Sequence, residues 1–140
     1  MKPVVLDTSA LLPLFLPDES EGFVQRVLQE AAAGGGSLLA PTLCVLEFGN
    51  AIVRAVRRQR LTEAEAAQAY RGFARLPIAF REFATAANLP LIHGLAQRRT
   101  LNFYDATYLA LTIHEGGRLA SLDGPLRAAA AAEGVETEEP

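Results

Sequence analysis

The sequence predicts an α/β fold: one domain with a central, mostly parallel sheet of four or five strands and helices on both faces. The run Val4-Val5-Leu6 is apolar throughout and passes straight into the polar triplet Asp7-Thr8-Ser9. That is the pattern of a strand covered on both faces that feeds a helix. Strand-like and helical segments then alternate along the chain, which favours parallel pairing through crossover helices. With 140 residues, 50% hydrophobic and 21% charged, the chain has the size and composition of one compact domain. No repeat or linker divides it, so a single domain is expected over residues 1–140.

After the Asp-Thr-Ser turn a short helix is expected from Ser9 to Leu16, broken by Pro13 and ended near Pro17. Ser20 caps a second helix to Ala33, in which Phe23, Val27 and Leu28 share an apolar face, and Gly34-Gly35-Gly36 closes it. Leu38-Leu39-Ala40 is the next strand. Thr42 starts the longest amphipathic helix, which runs to Gln59 with Cys44, Val45, Phe48, Ala51, Ile52, Ala55 and Val56 as its apolar set. Glu47, Asn50, Arg54 and Arg57 form a separate polar stripe at intervals of three or four. Thr62 followed by Glu65 is a capping-box signature for a helix to Ala74.

Leu76-Pro77-Ile78-Ala79-Phe80 is read as a strand, and its proline assigns it to a sheet edge. The helix between Glu82 and Thr100 has two candidate starts, Thr85 and Asn88, and ends at Arg98-Arg99. Asn102 caps the next, with Ala106, Leu109, Ala110 and Ile113 as its core and Gly116-Gly117 as its stop. Leu119 to Leu122 is a strand that delivers Asp123 into a Gly124-Pro125 turn, and an alanine-rich helix follows from Leu126 to Glu133. Val135-Glu136-Thr137 would add an edge strand, and Glu138-Glu139-Pro140 a frayed tail.

Composition narrows the functional classes. A net charge of −3 argues against a non-specific nucleic-acid binder, while leaving room for an enzyme whose carboxylates hold cations. No apolar run reaches the roughly 18 residues of a membrane span, and the start lacks a signal peptide, so a cytoplasmic location without membrane attachment is expected. Cys44 is the one cysteine, in an apolar stretch that suits a small buried hydrophobe. His93 and His114 stand far apart, and Lys2 is the only lysine.

Four acids share one property. Asp7 follows the first strand, Glu47 lies in the first turns of the long helix, Asp105 opens its helix, and Asp123 follows a later strand. All four are placed at the carboxyl edge of the sheet, where open α/β folds bind ligands. Each also has a plain structural reading: Asp7 as an N-cap, Glu47 as a solvated helix residue, Asp105 as the acidic partner of the Asn102 cap, Asp123 as a turn residue. Together they point to chemistry. Two carboxylates at about 4 Å repel by about 4 kcal/mol at an effective dielectric near 20, so such a group calls for protons or a hard cation. Oxygen donors without a His or Cys cluster suit Mg²⁺ or Mn²⁺.

The order Val-Leu-Asp-Thr-Ser, a helix carrying Glu47, then Asn-Phe-Tyr-Asp-Ala-Thr-Tyr-Leu-Ala with Asp105, then Ala-Ser-Leu-Asp with Asp123, resembles the PIN-domain ribonucleases. Within them it is most similar to the VapC-type toxins of bacterial toxin–antitoxin pairs, over essentially the whole chain. One departure is Ser121, where that family usually has threonine. The resemblance implies a PIN-like fold and a metal-dependent endoribonuclease that leaves a 5′-phosphate. Asp7, Asp105 and Asp123 would hold Mg²⁺ or Mn²⁺, Glu47 would complete the ligand set or orient water, and Ser9 and Ser121 would orient the aspartates. It also implies an RNA substrate, a homodimer and an antitoxin protein.

Arg54 and Arg57, leading away from Glu47 along one helix face, are read as a phosphate track for RNA. The stretch from Ala10 to Leu16 holds more large apolar residues than one helix face buries, which is read as a surface for the antitoxin beside Leu12, Phe15 and Leu16. Two rivals remain. An aspartyl-phosphate phosphatase wants a lysine on the phosphate and a second acid where Ser9 stands. A catalytically silent scaffold of the same fold would show no metal-linked stabilisation.

Overall fold

The computed structural model describes residues 1–140 except Asp18 and Glu21. Strand β1 (Val4–Leu6) leads into helix α1 (Thr8–Leu11), which tightens into a 3-10 turn over Leu12–Leu14. Then come α2 (Gly22–Ala32), β2 (Leu38–Pro41), α3 (Leu43–Arg57), α4 (Glu63–Ala74) and β3 (Ile78–Arg81). A 3-10 turn at Ala86–Asn88 opens α5 (Leu89–Arg99), and α6 (Phe103–His114), β4 (Arg118–Ala120) and α7 (Gly124–Ala132) complete the chain. The expected start of the second helix beyond Ser20 meets Glu21, which lies outside the described residues.

All strands are parallel, in the order β3-β2-β1-β4. Val5 is in register with Leu39 on one side and Leu119 on the other, so β1 is central. Every residue of β1 and β2 is buried, which requires cover on both faces of the sheet, as the apolar runs predict. In β3 burial alternates with exposure and Pro77 sits just ahead of it, fitting its place at the edge.

The apolar side chains fall into two cores. The larger surrounds the sheet and includes Val5, Leu6, Leu11, Leu39, Leu109 and Leu119. The smaller lies between α3 and α4 and contains Phe48, Ile52, Leu61 and Ala69, with Phe73 stacked on Phe48 at 4.2 Å and Phe15 edge-on to it at 5.1 Å. This explains why Ala10 to Leu16 is so apolar. Ala10, Leu11 and Leu14 serve the first core, while Leu12, Phe15 and Leu16 serve the second. Much of the surplus expected there as an outward surface is used inside, since a short segment lies between two cores, while Leu12, Leu14 and Phe15 stay half-buried.

Other details differ from the sequence reading. Helix α3 buries Cys44, Phe48, Ile52 and Ala55, but Val45, at the edge of that stripe, is 46% exposed. Helix α6 buries every residue from Ala106 to Thr112, whereas Ile113, expected in its core, is 43% exposed. A helix enclosed on most sides has no narrow apolar stripe, and its periodicity is correspondingly faint. Strand β4 stops at Ala120, because Ser121 and Leu122 turn into side-chain contacts described below.

The expected frayed tail is docked. Leu119 N–H donates to the Glu136 carbonyl at 2.9 Å and Glu138 N–H to the Leu119 carbonyl at 2.8 Å, which lays residues 135–138 along the outer edge of β4. Glu138 is buried and lies 2.8 Å from the Arg118 guanidinium, and the Arg127 guanidinium donates to its carbonyl at 2.7 Å. Arg118 on its carboxylate and Arg127 on its carbonyl hold a terminus that composition alone marks as loose.

Candidate active site

The carboxyl ends of β1, β2 and β4 and the start of α6 meet at one depression of about 270 Å³, lined by Asp7, Thr8, Ser9, Glu47, Asp105, Tyr108 and Asp123. All four sequence-predicted acids are thus brought together. A larger opening of about 500 Å³ beside α4, lined by Phe15, Leu16, Leu61 and Ala69 together with Glu19, Glu65 and Gln68, holds none of them.

Asp7 is 5% exposed and fully engaged. Its Oδ1 accepts from the Ser9 hydroxyl at 2.7 Å and from Ala10 N–H at 3.2 Å, and its Oδ2 from the Ser121 hydroxyl at 2.8 Å. Each serine receives a backbone donor in return, Leu122 N–H on Ser9 Oγ at 2.9 Å and Asp123 N–H on Ser121 Oγ at 3.0 Å. The turn after β4 is thereby tied to the carboxylate after β1. Burial pushes the Asp7 carboxyl up to about 6, opposed by the Ser9, Ser121 and Ala10 bonds and reinforced by the charge of Asp123.

The alternatives of cap and site do not compete here. Asp7 caps α1, and Asp123 caps α7 through Leu126 N–H on Oδ2 at 3.3 Å. Asn102, rather than Asp105, caps α6 by accepting from Asp105 N–H at 2.8 Å. A cap uses one lone pair of a carboxylate and fixes its direction, leaving other lone pairs to the depression. The half-buried Asp105 is raised by burial first and then by the charges of Asp123 and Glu47.

Glu47 is not a solvated helix residue. Its Oε1 accepts from the Tyr108 hydroxyl at 2.5 Å and from the Thr8 hydroxyl at 3.1 Å. Thr8 and Tyr108 are site residues that the sequence reading missed. A signal existed for Tyr108, since it follows Asp105 by three positions on one helix, but its apolar neighbours make it look like core. Burial pushes the Cys44 thiol up to about 11, so beside Thr8 it stays protonated.

The polar stripe on α3 divides. Asn50 joins Glu47, Leu43, Leu46 and Tyr104 in a cleft of about 330 Å³ next to the acids. Arg54 lines a separate, smaller opening with Leu12, Leu16 and Arg58, and Arg57 is exposed beyond it. Neither Arg54 nor Arg57 makes a side-chain hydrogen bond or ion pair among the described residues.

The donor set fits a hard divalent cation: it is all oxygen and spread over four elements. Among the described residues no three His, Cys, Asp or Glu side chains are drawn together tightly enough to close on an ion. The acids line the depression from several sides and still act on one another, since the charge of Asp123 raises both Asp7 and Asp105. An open ring suits Mg²⁺, which keeps several waters and binds through a few carboxylates together with substrate phosphate.

A parallel sheet with its candidate site in the crevice at the strands' carboxyl ends defines the chain as an open-sheet α/β protein. The chain belongs to the PIN-domain family, whose pattern matches residues 4–132. It is 29% identical over 123 residues to Ribonuclease VapC3 of Pyrobaculum aerophilum, covering 88% of this chain and 91% of that one. Its fold is similar to the crystal structure of PAE2754 from Pyrobaculum aerophilum, with a TM-score of 0.71, 22% identity and coverage of 97% and 89% of the two chains. It is similar also to Mycobacterium tuberculosis VapC20, described as a sarcin-ricin loop cleaving toxin, with a TM-score of 0.66, 19% identity and coverage of 90% and 94%. FitAcB from Neisseria gonorrhoeae aligns at a TM-score of 0.65 and 17% identity, covering 98% and 97%.

Proposed function

We propose that the chain is a Mg²⁺- or Mn²⁺-dependent endoribonuclease, the toxin of a VapBC-type toxin–antitoxin pair. The observation that carries this is the ring of Asp7, Glu47, Asp105 and Asp123 around one depression at the sheet's carboxyl edge. Similarity to Ribonuclease VapC3 supports RNA as the substrate. The four acids would hold the cation, which supplies a Lewis acid for the scissile phosphate and lowers the pKa of an attacking water. Asp7, locked by Ser9 and Ser121, gives a fixed negative point, while Asp105 and Asp123 face it from α6 and the β4–α7 turn. The free oxygen of Glu47 is placed to accept a proton or a ligand bond. Arg54 and Arg57 would lead the RNA backbone away along α3.

Cleavage of a single-stranded RNA by the purified chain, with and without EDTA, tests this. Activity should vanish in EDTA and return with Mn²⁺, and Asp105→Asn should lower it by on the order of 100-fold or more while the fold persists. Undiminished cleavage in EDTA would refute metal dependence.

The same reading carries a cytoplasmic RNA target, a homodimer and a short antitoxin. Phe15 and Leu16 line the 500 Å³ opening beside α4, and an antitoxin segment would enter there. Phe15 also packs on Phe48, so Phe15→Asp would strike the second core as well as the groove.

A further inference from the structure

We propose that Tyr108 and Thr8 are positioning residues that hold Glu47 by one oxygen and leave its other oxygen as the acceptor offered to the depression. The inference rests on the metal-dependent reading above. Tyr108 is 1% exposed on the enclosed helix α6, where its hydroxyl needs a partner inside the protein. Its oxygen lies 2.5 Å from Glu47 Oε1, 3.0 Å from Thr8 Oγ1, and Thr8 Oγ1 lies 3.1 Å from the same Glu47 oxygen. Three oxygens in mutual contact share two hydroxyl hydrogens.

One of those hydrogens has a fixed place. A contact of 2.5 Å to a carboxylate oxygen must contain a hydrogen, since bare lone pairs would repel at that separation, so the tyrosine donates to Glu47. The Thr8 hydrogen has two acceptors in reach, Glu47 Oε1 at 3.1 Å and the Tyr108 oxygen at 3.0 Å, and on either it braces the Tyr108–Glu47 contact. Thr8 Oγ1 is then free to accept from the Cys44 thiol at 3.6 Å. The order is Cys44 S–H to Thr8, Tyr108 O–H to Glu47 Oε1, and Thr8 O–H to that Oε1 or to the tyrosine oxygen. Among the described residues no side chain engages Oε2. Glu47 would therefore give one oxygen, not a two-oxygen clasp, to a cation or its water. Groups that orient a metal-holding side chain typically govern affinity as well as geometry.

Calorimetric titration of the full chain with Mn²⁺ tests this without recourse to activity. Tyr108→Phe should weaken Mn²⁺ binding about 10- to 100-fold. In a Glu47→Gln background the same substitution should change nothing further, because its effect passes through that carboxylate. Thr8→Val should weaken binding and Thr8→Ser should restore it. Should Tyr108→Phe fail to fold, the Thr8 pair decides alone: Val equal to wild type overturns the proposal. Folded Tyr108→Phe that binds Mn²⁺ like wild type, or that loses as much in the Glu47→Gln background, overturns it too. A wild-type chain that binds no Mn²⁺ refutes the metal-dependent reading and this inference with it, whereas intact wild-type binding with an unaltered Tyr108→Phe refutes only the positioning role.

Discussion

Asp7 caps a helix with the same carboxylate that faces the candidate site, and it does so while almost fully buried. Its folded value of about 6 lies above the ordinary 3.8, so the folded chain holds that proton more tightly than the unfolded one. The associated stability is complete below the ordinary value and is lost as pH rises through about 6. Two pH units correspond to about 3 kcal/mol as an upper scale. Asp105 is raised in the same direction. In EDTA, denaturant melts should therefore show wild-type stability falling between pH 4 and 7, and Asp7→Asn should flatten that fall and be the more stable protein at neutral pH. An unchanged slope in the variant would refute the assignment. The four acids were legible from sequence because each ends an apolar strand or opens a helix. Thr8 and Tyr108 were not, because a hydroxyl beside apolar residues signals its partner only once two elements are brought together.

Helix α3 joins the two cores to the site and carries both an acid and two unpaired arginines on one flank. At about 1.5 Å per residue, Arg54 and Arg57 stand about 10 and 15 Å along the axis from Glu47, beyond any direct contact with the reacting phosphate. Their role on RNA would be electrostatic. Replacing both by alanine should weaken RNA binding and reduce the slope of log affinity against log salt by about 1.4, the value for two contacts on a single strand. An unchanged slope would mark the stripe as an ordinary solvated flank. Elements with local signals were readable in advance. The Thr62–Glu65 capping box forms both of its bonds, at 3.0 and 3.1 Å. Those shaped by tertiary cover were not, as α6 and the docked tail show: burial on several sides erases the period, and an acidic terminus looks loose until Arg118 and Arg127 are placed beside it.

At the scale of the molecule, the apolar surplus that suggested a partner surface has moved. Ala10 to Leu16 lies between two cores, while Val45, Leu46 and Val53 stand exposed on α3, and Tyr104 is exposed at the rim of the neighbouring cleft. A two-fold dimer would give those side chains cover. Light scattering across a concentration series should report twice the chain mass, and a monomer at high micromolar concentration would refute it. The docked tail bears on a different kind of association. A parallel sheet open on both rims can add neighbours at each side and grow without limit, as fibrils do. With residues 135–138 along β4, the Leu119 N–H and carbonyl on that rim are already paired. Removing residues 135–140 would bare the Leu119 edge of β4 and should raise the tendency to aggregate, which light scattering of the shortened chain would show.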